Sequence, residues 1–218
     1  MSDLNAKGIQ YMQEGKLEEA AKAFTEAIEK EPGNAVSYIN FGNLLGAVGE
    51  NERALRFFDK ALELDETAGT AHYGAGTIYF EGEQFQKARV EFQKALQKGV
   101  DSSDVHFMLG LTFMNEDQVK LALPYLQRAV ELNEEDIEAT FQYGLCLARL
   151  EMVDEAIQQF LSVIEKDKNH ADAYYNLGVG YAYKEDGEKA LEMLDQALKI
   201  DEGHLLAGNA KRILTQSE

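Results

Sequence analysis

The chain has 218 residues, only two prolines and a steady mixture of Ala, Leu, Glu and Lys, so it shows no linker and has the composition of an all-α protein. Its 39 acidic residues against 21 basic ones give a formal charge of -18, which excludes a basic stripe able to displace counterions from nucleic-acid phosphates. An anionic membrane surface would repel it for the same reason, whereas partners with basic segments are attracted, although much of the acid simply coats solvated helix faces.

Laid on itself, the chain repeats every 34 residues, with glycines at Gly8, Gly42, Gly76, Gly110, Gly144 and Gly178. Behind them come Ala20, Ala54, Ala88, Ala122, Ala156 and Ala190. A bulky position follows (Phe24, Phe58, Phe92, Leu126, Phe160, Leu194), then a small one (Ala27, Ala61, Ala95, Ala129, Val163, Ala197). The repeats are therefore 1–34, 35–68, 69–102, 103–136, 137–170 and 171–204, with a closing helix at 205–216, and they form a single domain.

The first repeat begins without a basic start before an apolar run, so no secretory signal is expected. Lys7 stands where later repeats carry Phe41, Ala75, Leu109, Tyr143 and Leu177, a charge that is tolerable where no earlier repeat covers it. In the second repeat, Tyr38, Phe41, Gly42 and Leu45 recur at helical spacing, as do Ala54, Leu55, Phe58, Ala61 and Leu62. A short turn, Val48-Gly49-Glu50, joins the two runs and makes them antiparallel neighbours. Small residues at Gly42 and Ala54 are expected to let the two helix backbones approach. In the third and fourth repeats His72 and His106 fill a packing position, and Pro124 predicts a modest kink in its helix. In the fifth, Cys146 takes a site that elsewhere holds Leu44, Ile78, Thr112 or Gly180, so burial and inertness are expected; as the lone cysteine it has no disulfide partner, which suits a reducing cytoplasm. His170 and His204 end their repeats at turns. In the closing helix Leu206, Ile213 and Leu214 are expected to cover the last hairpin, while Lys211 and Arg212 meet water. No stretch reaches the roughly 18 apolar residues of a membrane span.

The pattern Tyr174, Leu177, Gly178, Tyr181, Ala190, Leu194 and Ala197 resembles that of the tetratricopeptide repeat (TPR) family, and the resemblance covers residues 1–204. It departs in having no tryptophan and in keeping the repeat-terminal proline only at Pro32. The resemblance implies a right-handed superhelix, an α-solenoid of six helix-turn-helix repeats with a capping helix, whose first helices line a concave face.

On that implied face the fifth position of each repeat reads Asn5, Ile39, Tyr73, Phe107, Phe141 and Tyr175, an aromatic stripe that either contacts a ligand or braces neighbouring helices. Asn40, Met108, Gln142 and Asn176 follow it, and the amides suit the backbone of an extended peptide. Asp104, Glu138 and Asp172 make the second position acidic, Glu81 adds to them, and Arg149 is the one cation. Asn43, Thr77, Leu111 and Met114 complete the set. The cation clamp of chaperone-binding TPRs is not matched: Asn40 fits, but Asn5, Ile9, Thr70 and Gly74 occupy its other positions.

No nucleophile elbow, phosphate loop or zinc motif occurs, so neither an enzyme nor a cofactor is expected. The expected function is a cytoplasmic, monomeric adaptor for a protein or peptide with basic and apolar or aromatic residues, with no nucleic acid and no membrane as partner. The alternatives are a structural scaffold acting by self-association or through its convex face, and a co-chaperone.

Overall fold

The computed structural model describes residues 3–216, among which thirteen α-helices follow one another. Packing divides the chain into two compact halves, residues 1–112 and 113–218. The first half contains α1 (Leu4–Gln13), α2 (Leu17–Lys30), α3 (Ala35–Ala47), α4 (Asn51–Leu64), α5 (Gly69–Glu81) and α6 (Phe85–Gln97). The division falls within α7 (Ser103–Asn115). The second half continues with α8 (Val119–Leu132), α9 (Ile137–Arg149), α10 (Val153–Lys166), α11 (Ala171–Tyr183), α12 (Gly187–Ile200) and α13 (Leu205–Gln216). From α3 to α11, each odd-numbered helix begins on the first residue of a 34-residue repeat, and α13 begins where the closing helix was expected.

The residue just before these helices explains the starts. Asp3, Asn34 and Asp136 accept backbone N–H bonds from the first turn, at 3.0 Å from Asn5, 3.1 Å from Val36 and 2.9 Å from Ala139. His170 and His204 take the same role, with Nδ1 accepting from the N–H of Ala173 and of Ala207, each at 3.2 Å. Each imidazole therefore carries its proton on Nε2, and such a cap contributes about 1 kcal/mol. Their place at the repeat ends thus has a structural purpose.

The turn between the two helices of a hairpin uses a left-handed residue, which lets the chain reverse with its last carbonyls satisfied. Gly15 and Gly49 serve in the first two repeats, at φ 72° and 79°. Glu83, Asp117, Glu151 and Glu185 serve in the next four, at φ 55–61°. For these side chains that backbone region is strained.

The second helices are amphipathic, burying a face such as Ala54, Phe58 and Ala61. The first helices are covered on more sides; α5 buries Ala71, His72, Gly74, Ala75, Gly76 and Ile78. One core cluster joins Ile39 and Leu45 of α3, Phe58 of α4 and Ala71, Ala75 and Ile78 of α5. Another joins Phe141 and Leu147 of α9, Ile157 and Phe160 of α10 and Ala173 and Leu177 of α11. In both clusters a hairpin completes its core on the first helix of the next repeat.

The repeat glycine makes room for a bulky side chain of the partner helix as well as for the close approach expected. A methyl group on Gly42 would lie 2.6 Å from Phe58 Cε1; on Gly76 it would lie 2.6 Å from Phe92 Cε1, and on Gly144 2.7 Å from Phe160 Cε1. What needs the space first is a side chain of the partner helix, an aromatic ring in these three repeats and Leu194 at Gly178, where the Ala190 carbonyl of the partner helix also comes within 3.2 Å.

The closing helix also departs from expectation. Leu214, Ala207 and Ala210 cover α12, whereas Leu206 and Ile213 are 58% and 60% exposed. Lys211 reaches Asp195 at 2.5 Å. Lys7 is exposed, over the ring of Tyr11. Among the described residues no helix is long and apolar enough to cross a membrane.

Candidate peptide-binding surface

In the first half, a trough of about 420 Å3 opens between α3 and α5. Phe58 of α4 forms its floor, because methyl groups on both Gly42 and Gly74 would strike that ring, at 2.6 and 2.5 Å. Asn43, Thr70, Tyr73, Thr77 and Glu81 line it. Three of these, Asn43, Tyr73 and Thr77, are among the sequence candidates. Asn43 is exposed, and Thr77 is half-buried with its hydroxyl donating to the Tyr73 carbonyl at 3.1 Å. The Tyr73 ring packs on Phe92, with centroids 5.8 Å apart, and stays half-buried. Burial first, and then the Asp104 carboxylate, hold its hydroxyl above the ordinary phenol range.

The other first-half candidates lie outside the lining of this trough. Asn40 is half-buried and donates to Asn5 Oδ1 at 3.3 Å, while Asn5 donates to Ser37 Oγ at 3.0 Å, so its amide is already engaged within the fold. Asp104 is exposed, and Phe107, Met108 and Leu111 are half-buried.

In the second half, the aromatic positions act mainly as braces. Phe141 is only 8% exposed, its ring set against Phe160 and His170 with centroids 5.7 and 4.6 Å apart. Tyr175 lies against the His204 ring at 5.2 Å and remains half-buried. His204 Nε2 in turn meets Asp172 Oδ1 at 3.1 Å. Gln142 donates to Glu138 at 2.9 Å, and Asn176 to the Asp172 carbonyl at 2.7 Å. Arg149 is ion-paired with Asp117 and Lys184 with Asp154, so both cations are already matched by carboxylates. A smaller slot, lined by Asn176, Val179, Gly180 and Tyr183 together with residues of α10, adjoins this surface.

The remaining titratable candidates are structural. His72 Nδ1 sits 2.6 Å from Glu91 Oε2, and His106 Nε2 2.6 Å from Asp101 Oδ1. Cys146 is fully buried, its thiol pushed up to about 11 by that burial. The sequence reading placed Gly74 and Gly180 at their repeat positions but did not see that they, with Gly46, are part of the lining of these openings. A glycine inside a helix, off the position of the repeat glycine, is the signal that could have found them.

Stacked helical hairpins with open space between successive first helices define a repeat-built interaction scaffold. Tetratricopeptide repeat models match residues 2–34, 39–103, 107–170 and 171–204, and the chain belongs to the tetratricopeptide repeat family. It is similar to YrrB, whose crystal structure is described as a TPR protein with an unusual peptide-binding site. The two are 57% identical with a TM-score of 0.83, over 88% of this chain and 99% of that one. Against the TPR repeat-containing protein YrrB of Bacillus subtilis (strain 168), a stretch of 39 residues is 59% identical; that match spans 18% of this chain and 19% of the relative. The pilF structure of Pseudomonas aeruginosa shares the fold alone, at 18% identity and a TM-score of 0.82 over 99% of this chain and 96% of that one.

Proposed function

We propose that the protein is an adaptor that holds a polypeptide segment of a partner against its first helices. In this reading the segment is one with apolar anchors flanked by lysine or arginine. The observation that carries it is the trough over Phe58, apolar at its floor and lined by amide, hydroxyl and carboxylate groups at its edges. Burying a leucine-sized side chain there contributes about 1.5–3 kcal/mol, whereas an exposed contact to Glu81 contributes less than about 1 kcal/mol. The apolar anchor thus supplies affinity, while the acidic surface steers encounter with basic segments. YrrB, the peptide-binding relative, supports the same reading.

The test fills the trough. Thr77→Phe, checked for intact folding by circular dichroism, should weaken a partner captured by the wild-type protein at least tenfold in calorimetric titration. Undiminished affinity would reject this trough as the site, and association that is insensitive to salt would reject the steering role of the acids. A second reading, association through the closing helix, is favoured by exposed Leu205, Leu206 and Ile213. Sedimentation at rising concentration decides it: a monomer throughout rejects self-association.

A further inference from the structure

The tenth residue of each repeat lies in its first helix, and in the first repeat it is the exposed Gln10. Leu44, Ile78, Thr112 and Cys146 occupy that position in the second to fifth repeats, and all four are buried. The sixth repeat has Gly180 there. Nothing about the helix requires a glycine, since α11 continues through it from Ala171 to Tyr183. A core side chain has simply been left out.

The neighbours close the gap only in part. A methyl group on Gly180 would lie 2.9 Å from Ile157 Cγ1 and 3.2 Å from its Cδ1, so Ile157 leans into the vacated space. A slot of about 120 Å3 remains, walled by Val153, Ile157, Phe160, Val179 and Tyr183. Its lining is overwhelmingly hydrocarbon, and Val179 and Tyr183 are 43% and 68% exposed. Asn176 and Glu151 provide the polar edge.

We infer that this slot receives one aliphatic side chain of a bound polypeptide, at a point where the polypeptide also carries a lysine or arginine. The inference rests on the adaptor reading and adds a sequence preference to it. Size sets the first half of the preference: an apolar cavity of about 150 Å3 takes a benzene-sized guest, so this one suits leucine, isoleucine or methionine. Charge sets the second half. Glu151, held at φ 60° in the turn, is exposed in the slot's lining, while Arg149 and Lys184, which follow the lining residues Ala148 and Tyr183, are ion-paired with Asp117 and Asp154. A cation on the ligand is therefore the complement that this edge lacks.

The probes are two fluorescein-labelled decapeptides of Gly, Ser and Lys that differ only in a central leucine or serine. The full-length chain should bind the leucine peptide at least tenfold more tightly by fluorescence anisotropy. Ala148→Phe, at an exposed position in the slot's lining, should reduce the leucine peptide to the level of the serine peptide. Gly180→Val should do the same from inside. Equal binding of the two peptides, or a leucine preference that survives both variants, overturns the slot. A preference abolished by Thr77→Phe instead moves the anchor to the trough over Phe58, which overturns the slot but keeps the adaptor. Failure of both peptides to bind at millimolar concentration also overturns the slot; the adaptor reading then stands or falls separately, on capture of a partner sensitive to Thr77→Phe. A dimer dissociated by Ala148→Phe would assign the slot to a second copy and overturn the proposal.

Discussion

Adding one methyl group to Gly76 tests the seat that each glycine makes for the ring opposite. In α5 the new carbon would lie 2.6 Å from Phe92 Cε1, 2.7 Å from Cδ1 and 3.1 Å from Cγ. Phe92 is fully buried and its ring is backed by Tyr73, so it has nowhere to swing. Overpacking of this kind costs about 1–3 kcal/mol. Against it stands the better helix propensity of alanine, about 1 kcal/mol. Gly208 supplies the comparison that removes the propensity effect. It also sits within a helix, but a methyl group there meets only Leu198 Cδ2, at 4.0 Å. Gly208→Ala should therefore stabilise its helix by up to about 1 kcal/mol, whereas Gly76→Ala should be worse than Gly208→Ala by about 1–3 kcal/mol. Urea titration followed by far-ultraviolet circular dichroism reads both. Amide exchange in α5 and α13 locates each effect, which matters because repeat arrays need not unfold in one step. If Gly76→Ala gains as much stability as Gly208→Ala, the ring-seat account is wrong.

Three further outcomes follow from the structure. Iodoacetamide should modify Cys146 at pH 8 about 100-fold more slowly in the folded protein than in urea, because a thiol at about 11 has so little thiolate there; equal rates would contradict the burial. Glu83→Gly and Glu185→Gly should each stabilise by about 0.5–1 kcal/mol by relieving left-handed strain, and a loss in thermal melting would count against it. His204→Ala should cost about 1 kcal/mol and speed amide exchange in α13, while His204→Asn keeps the cap and most of the stability.

Much of this was legible beforehand. The repeat starts at residues 35, 69, 103, 137 and 171, and the start of the closing helix at 205, are also helix starts, because a period built on packing positions must follow the helices that make it. The burial of Cys146 was readable from its place in the period. Exposure on the candidate surface was not. Tyr73 and Phe141 share one repeat position, yet Phe141 is sealed, since His170, far along the chain, closes over it. Asn40 looked available for a peptide but is engaged by Asn5, and Arg149 looked like a groove cation but is matched by Asp117. Position within a repeat gives an address; the partner met there comes from elsewhere in the chain, the far end of the same repeat for Phe141 and the preceding repeat for Asn40 and Arg149. The acids at the left-handed turns escaped notice for a simpler reason: charge is common in loops, and only backbone geometry marks these residues as strained.

Each ring seat is made inside a single hairpin: Gly42 with Phe58, Gly76 with Phe92, Gly144 with Phe160. The fit therefore travels with its own stretch of chain. Excising residues 69–102 whole would rejoin the backbone in phase and take one complete seat away, although Met108 would then come to the place of Gly74 over Phe58. Deleting one residue within α5 would instead turn everything behind it by about 100° and carry Gly76 off its ring. Such a molecule tolerates a change of length in whole hairpins far better than a shift of one amino acid.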